Sequence, residues 1–417
     1  MSSLRKLAQM ISAIADQLEQ HKESCGSDGR TESKEWLQTL PKELGQSRLD
    51  LIDAIQDLKT QVQSTESCLE DLLFSYANTT SLHIIYALRL PQYIPVTECA
   101  SYSSIAESCG VNEAVLRRLF HYAMTNRLFT EPKPGYVAHT PMSRLLLSDS
   151  DAFDALGMTL EEMMPASHEL LAAINKYPKS VEPNETAYNI AHDTNLPLYQ
   201  FLAKNPERAR RFGAGMKYFT RGDHTDLKHV LEAFPWKDYD RDNVLMVDVG
   251  GGHGVVTAKI ADATSKIRFI VQDLAQAVEV GRSSLPPILK SRVEFMTHDF
   301  FQDQVVKHAD IYFFRWIMHN WSDKYCLQIL RSLTPAMKPR AKVLLYEHVL
   351  PDVPNDKPSQ KGGMYLDMVM LGCCNGCVRT EKDWQKLFLD ADANFTLEGI
   401  RRVPGSSLSL IEATWKE

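Results

Sequence analysis

Hydrophobic positions in the first 22 residues recur at helical spacing: Leu4, Leu7, Met10, Ile11, Ile14 and Leu18. Residues 23–34 turn polar and carry Gly and Ser, which predicts a loop. A second helix with a broad apolar stripe is predicted over residues 49–62. Stripes this wide need a partner, either each other or a second subunit. Residues 66–148 read as helices followed by a small hairpin. Ser103–Gly110 and then Val111–Phe120 have the rhythm of a helix-turn-helix, with residues 128–140 as the wing. Residues 149–232 read as helical and as the link between the domains on either side. After 233 the period changes. Short apolar runs begin at Val244, Ile267, Val293, Ala309 and Lys342, and helical stretches separate them. Strands alternating with helices predict an α/β domain with a parallel sheet. Two last strands, Phe395–Val403 and Ser407–Trp415, join at Pro404-Gly405. The pattern thus divides the chain into 1–65, 66–148, 149–232 and 233–417.

Composition narrows the classes. A chain of 417 residues is too long for one compact core and suggests roughly two to three units. A net charge of −7 argues against nucleic-acid binding, although Arg117 and Arg118 lie on the second helix of the helix-turn-helix. The sequence has no apolar run of about 18 residues, which predicts no membrane span. Its start lacks the apolar core of a signal peptide. Eight cysteines in a chain this size do not make a disulfide framework. A cytoplasmic location is the default expectation. Cys373, Cys374 and Cys377 lack a second Cys-x-x-Cys or a histidine pair, so no metal is expected.

The candidate chemistry starts at Val244-Leu-Met-Val-Asp-Val-Gly-Gly-Gly-His-Gly254. An apolar strand ends near Asp248 and runs into four glycines within five positions. Glycine permits positive φ and close backbone approach, so a ligand is held there against bare main chain. The dinucleotide fingerprint G-x-G-x-x-G fails in both registers, because Val255 and Thr257 stand where its last glycine belongs. The pattern that fits is Asp-x-Gly-x-Gly-x-Gly at Asp248, Gly250, Gly252 and Gly254. Asp273 ends the next strand about 20 residues on, where a carboxylate accepts from ribose hydroxyls. Asp299 and Phe300 end the third strand and could hold an adenine by hydrogen bond and stacking. The fourth strand runs through Arg315 and Trp316 into His319, and the fifth ends in Glu347.

These segments carry a resemblance. Asp248–Gly254 resembles motif I of the class I S-adenosylmethionine (SAM) methyltransferases. Arg315-Trp-Ile-Met-His-Asn-Trp-Ser-Asp323 resembles the catalytic segment of the plant and fungal small-molecule O-methyltransferases, relatives of the caffeic acid and flavonoid enzymes. Gln272-Asp-Leu274, His298–Phe301 and Glu347–Pro351 match in order, and the likeness spans roughly residues 65–417. It implies a Rossmann-like SAM sheet ending in an antiparallel hairpin, behind a winged-helix domain that dimerises and closes the partner's active site. It implies a homodimer, metal-independent use of SAM, and Asp248, Gly250, Gly252, Gly254, Asp273, Leu274, Asp299, Phe300 and Arg315 as cofactor residues. It implies His319 as general base toward a phenolic or enolic hydroxyl, with Glu347 orienting the imidazole. A phenol, pKa near 10, is mostly protonated at neutral pH, and a histidine can take its proton as the new bond forms. Aromatic or polyketide-like acceptors are expected. Their candidate pocket residues are Met164, His168, Met216, Phe219, Trp316, Met370, Asn375 and Val378.

One position departs from the family. It usually carries Asn-Gly-Lys-Glu-Arg-Thr beside the histidine, and this chain has Asn375-Gly-Cys-Val-Arg-Thr380. Val378 replaces the second acid, and a valine can neither orient an imidazole nor accept a proton. That keeps a second class open: methyltransferase-like enzymes that hold SAM but form rings by dehydration or pericyclic reaction.

Overall fold

A computed structural model describes residues 3–25, 35–354 and 356–416. The chain divides into two compact units, residues 1–168 with 199–221, and residues 169–198 with 222–417.

In the first unit the amino-terminal helices Leu4–Ser24 and Lys42–Val62 pack on each other, one of the two partnerships their stripes allow. The first helix runs to Ser24 and so takes in the start of the expected loop; residues 26–34 lie outside the described residues. The second helix begins seven residues before the stripe at Leu49. The pairing covers Leu7, Leu18 and Ala54 and leaves Leu4, Met10, Ile52 and Ile55 at least two-fifths exposed. The winged-helix rhythm is realised by helices Tyr102–Cys109 and Glu113–Thr125. Gly110 ends the first at φ 69°, a left-handed cap that suits glycine, and the Asn112 side chain caps the second. The wing is β2 (Phe129–Lys133) and β3 (Tyr136–His139). It is extended by a strand the pattern did not show, β1 (Cys99–Ser101). Arg117 pairs with Glu113 at 2.8 Å and lies 4.3 Å from the Tyr102 ring centre, so its charge is used inside the domain.

The second unit is built on a seven-stranded sheet. Its members are β4 (Leu245–Val249), β5 (Arg268–Asp273), β6 (Val293–Thr297), β7 (Ile311–Arg315) and β8 (Lys342–Glu347), followed by the late strands Phe395–Arg402 and Ser409–Trp415. The order runs Phe395–Arg402, Ser409–Trp415, β8, β7, β4, β5, β6. All pairings from β8 to β6 are parallel, and the two late strands add as the antiparallel hairpin. Both faces are covered, so β4 and β7 read as continuous apolar runs rather than alternating ones. Parallel strands of similar length end together, and Asp248, Asp273, Asp299, Arg315, His319 and Glu347 all lie at or just beyond such ends. The fold is α/β and Rossmann-like, as the strand–helix alternation implies.

Candidate active site

After Val249 the chain must reverse into the helix Val255–Ala263 within a few residues. Gly250, Gly252 and Gly254 take φ of 72°, 57° and 73°, which side-chain-bearing residues adopt only under strain. Two of them also leave no room. A Cβ on Gly250 would stand 2.6 Å from the Ile317 side chain, and one on Gly254 2.8 Å from Phe295. Gly252 is different: a Cβ there would meet nothing within 4 Å. Its N–H donates to Asp273 Oδ2 at 2.8 Å, and Asp273 Oδ1 accepts the Leu274 N–H at 2.7 Å. Asp273 therefore ties the glycine turn to the end of β5. Leu274, the next residue, is 64% exposed despite being apolar.

Asp248 is fully buried beneath this turn. Its Oδ2 accepts from the Thr257 hydroxyl at 2.6 Å. Burial outweighs that bond and pushes the carboxyl up to about 6. Arg315 ends β7 and donates to the Thr225 carbonyl at 3.4 Å, while its Nε is buried without a partner. Burial lowers its pKa. Asp299 is exposed and caps the Phe301 N–H at 3.0 Å. The Phe300 ring stacks edge-on with Phe301 at 4.9 Å and lies beside the position a Gly250 Cβ would take. An open glycine N-terminal to a helix, a carboxylate beyond the next strand, an exposed leucine and an aromatic ring fit an adenosyl group.

The second cluster is made by β7 and β8. Register places Arg315 opposite Tyr346, so Glu347 follows where the chain after β7 leaves the sheet. It leaves through Trp316, a bulky residue at φ 60°. Such a conformation costs roughly 1–2 kcal/mol and persists only where surroundings enforce it. The chain then forms the short turn Met318–Asn320. Glu347 enforces it: Oε1 accepts the N–H groups of Ile317 and Met318, both at 2.8 Å. Oε2 lies 2.7 Å from His319 Nδ1. His319 is 4% exposed and Glu347 1%. Burial pulls the Glu347 pKa up, but the His319 charge and hydrogen bond and the two N–H groups outweigh it, and it falls below the usual carboxylate value. An ionised acceptor at Nδ1 fixes the proton there and leaves Nε2 with its lone pair.

Several neighbours bear on this pair. A Cβ on Gly376 would fall 2.1 Å from the His319 carbonyl oxygen, so residues 375–378 press on the backbone of the turn itself. Val378 is buried, and its N–H donates to Asp367 Oδ1 at 2.8 Å. Arg379 bonds the carbonyls of Met318 and Trp321. His348 is held neutral, burial lowering its pKa to about 4, and its ring lies 5.2 Å from that of Trp316. Trp316 in turn meets the His319 ring edge-on at 5.3 Å. Trp316 and Val378 are singled out by the sequence, whereas the roles of Gly376, Arg379 and His348 depend on contacts between distant segments.

The expected acceptor residues fall in both units. Met164, His168, Met216 and Phe219 belong to the first, with His168 and Phe219 exposed. Trp316, Met370, Asn375 and Val378 belong to the second, where Met370 and Val378 are buried. Asn375 spends its amide on the carbonyls of Glu182 and Glu185, at 2.9 and 3.1 Å. Cys373 and Cys374 are buried and Cys377 partly so.

A family model described as the O-methyltransferase domain matches residues 170–394, and one described as the O-methyltransferase dimerisation domain matches residues 70–149. The chlorophenol O-methyltransferase of Trichoderma longibrachiatum is 31% identical over 100% of this chain and 91% of its own length. The crystal structure of OxaC in complex with SAH and oxaline has a TM-score of 0.72 at 21% identity, covering 99% of each chain. A structure described as a pericyclic reaction enzyme has a TM-score of 0.76 at 19% identity, covering 98% of this chain and 100% of its own. The chain belongs to the O-methyltransferase family, and it is a methyltransferase.

Proposed function

We propose that this enzyme transfers a methyl group from SAM to a phenolic or enolic hydroxyl of an aromatic or polyketide-like small molecule, with His319 as general base and Glu347 as its orienting partner. The observation that carries this reading is the buried His319–Glu347 contact at 2.7 Å, with Glu347 also fixed by two backbone N–H groups. That arrangement leaves Nε2 as the one lone pair the pair can offer a hydroxyl proton. Glu347 stabilises the imidazolium that forms and keeps the ring in one orientation. When bound, SAM supplies an electrophilic methyl on a sulfonium. Asp273 would take the ribose hydroxyls, Gly252 and Leu274 would line the adenosyl group, and Phe300 with Asp299 would hold the adenine. Asp248, Gly250 and Gly254 would shape the turn beneath it, with Arg315 behind. We further propose residues 66–148 as the module of a homodimer, 149–232 as acceptor-pocket helices and 233–417 as the cofactor-binding domain, acting without a metal.

A second reading rests on Val378. With valine at 378 where the family usually carries a second acid, methyl transfer has one catalytic group fewer to draw on. The two readings separate in one assay. Purified enzyme is given methyl-labelled SAM and a panel of phenols beginning with 2,4-dichlorophenol, and label in product and SAH release are followed. Label transfer that His319→Ala abolishes supports methyl transfer. A ring-closed product formed without SAH release overturns it for that substrate, and unchanged transfer by His319→Ala overturns the base assignment.

A further inference from the structure

Beside His319 and Glu347 lies a buried cation that the reaction leaves unused. Arg379 is 1% exposed. Its Nε and Nη2 reach Asp323 Oδ1 at 2.9 and 2.8 Å. Its Nη1 donates to the carbonyls of Met318 at 3.1 Å and Cys377 at 3.3 Å. Its Nη2 donates to the Trp321 carbonyl at 2.9 Å. The guanidinium carbon lies 5.4 Å from the Trp384 ring centre.

The placement of these bonds matters more than their number. Met318 and Trp321 bracket His319 and Asn320. Glu347 takes the N–H groups of Ile317 and Met318, and Arg379 takes carbonyls of Met318 and Trp321. The turn carrying His319 is thus gripped by its donors from β8 and by its acceptors from the loop after Asn375. The salt bridge holds the guanidinium from its more exposed side, where the Asp323 side chain is 63% exposed, and the carbonyl bonds grip the turn. A lysine could not reproduce it: one ammonium cannot span three carbonyls that a planar fork reaches from fixed directions.

We propose that Arg379 is a positioning residue for His319, locking residues 318–321 so that the imidazole keeps its contact with Glu347 and Nε2 keeps one direction. The proposal rests on His319 being the base, and its test does not depend on turnover. The full chain is labelled with 15N-histidine, and the His319 Nδ1–H resonance is identified by its absence in His319→Gln. In Arg379→Lys that proton exchanges with solvent about tenfold faster or more, while SAH affinity by calorimetry stays within about twofold. With a phenol of that panel that the enzyme methylates, kcat falls about 10- to 100-fold with little change in KM for SAM, the scale expected when a reacting group is displaced by about an ångström. An Nδ1–H that keeps its shift and exchange rate overturns the proposal, and so does SAH affinity lost in step with that proton. If Arg379→Lys does not fold, Asp323→Asn carries the test: it keeps the guanidinium and removes its exposed anchor. The expected result is exchange about two- to fivefold faster, and an unmoved resonance overturns the proposal. Should His319→Ala retain full methyl transfer, the base assignment fails, whereas the exchange measurement still decides whether Arg379 holds the turn.

Discussion

Two carboxylates are buried at the ends of strands in one sheet, and their surroundings drive them in opposite directions. Glu347 receives two backbone N–H groups and an imidazole. Asp248, under the glycine turn, receives one hydroxyl. Burial penalises charge in both. At Glu347 the donors win and the acid is held ionised, whereas at Asp248 they lose and the carboxyl is pushed up to about 6. Two buried carboxylates of one sheet are thus set apart, one as a fixed anion and one as a group that titrates near neutrality.

The largest expected effect tests the ionised side. His319→Ala should lower kcat about 10²- to 10⁴-fold with SAH affinity little changed, measured by label transfer and calorimetry. A smaller loss would mean that Glu347 is anchored for structure alone.

Stability against pH tests the contrast directly. Glu347 has a depressed folded pKa, so its contribution is present above the unfolded value of 4.5 and fades as pH falls through the folded one. Glu347→Gln should cost about 3 kcal/mol at pH 7.5 in urea unfolding, and progressively less below pH about 4.5. Asp248 has a raised folded pKa, so its favourable contribution is present below 3.8 and lost as pH rises through about 6. Above that the buried charge costs on the order of 3 kcal/mol, and Asp248→Asn should stabilise the protein at pH 7.5 by about 1–2 kcal/mol once the lost Thr257 bond is counted. At pH 4 that gain should vanish. Both variants moving stability the same way with pH would break the comparison.

One glycine from each cluster sharpens it. Gly376→Ala drives a Cβ into the His319 carbonyl and should cost about 3 kcal/mol or more, with activity lost. Gly252→Ala meets open space and only an unfavourable φ, so about 1 kcal/mol and weaker SAH binding are expected. The smallest effect belongs to Leu274→Ala. Unfolding should stay within about 0.5 kcal/mol of wild type, while SAH affinity falls roughly 3- to 10-fold, because this exposed leucine has only a ligand to cover.

The sheet was legible because β4, β5, β7 and β8 are apolar runs that end in chemistry-bearing residues, a pattern local to each strand. The glycine turn was legible for the same reason, since its conformations demand one residue type. His319 and Glu347 could be paired because both follow strand ends, and parallel strands end together. Arg379 could not be assigned: its bonds to Met318 and Trp321 depend on two loops about 60 residues apart meeting in space. The reading of Asn375 as an acceptor residue could not foresee that its amide holds residues 182–185. Strand β1 has three residues, too few to show a period.

The close fit of Gly376 against the His319 carbonyl has a consequence for redesign. The backbone at Gly376 is pinned to the turn it supports, so the course of the chain there has little freedom, and variation is left to neighbouring side chains such as the half-buried Cys377. A chemist wishing to reprogram the enzyme has a fixed frame there, to be changed through side chains rather than by rerouting the chain.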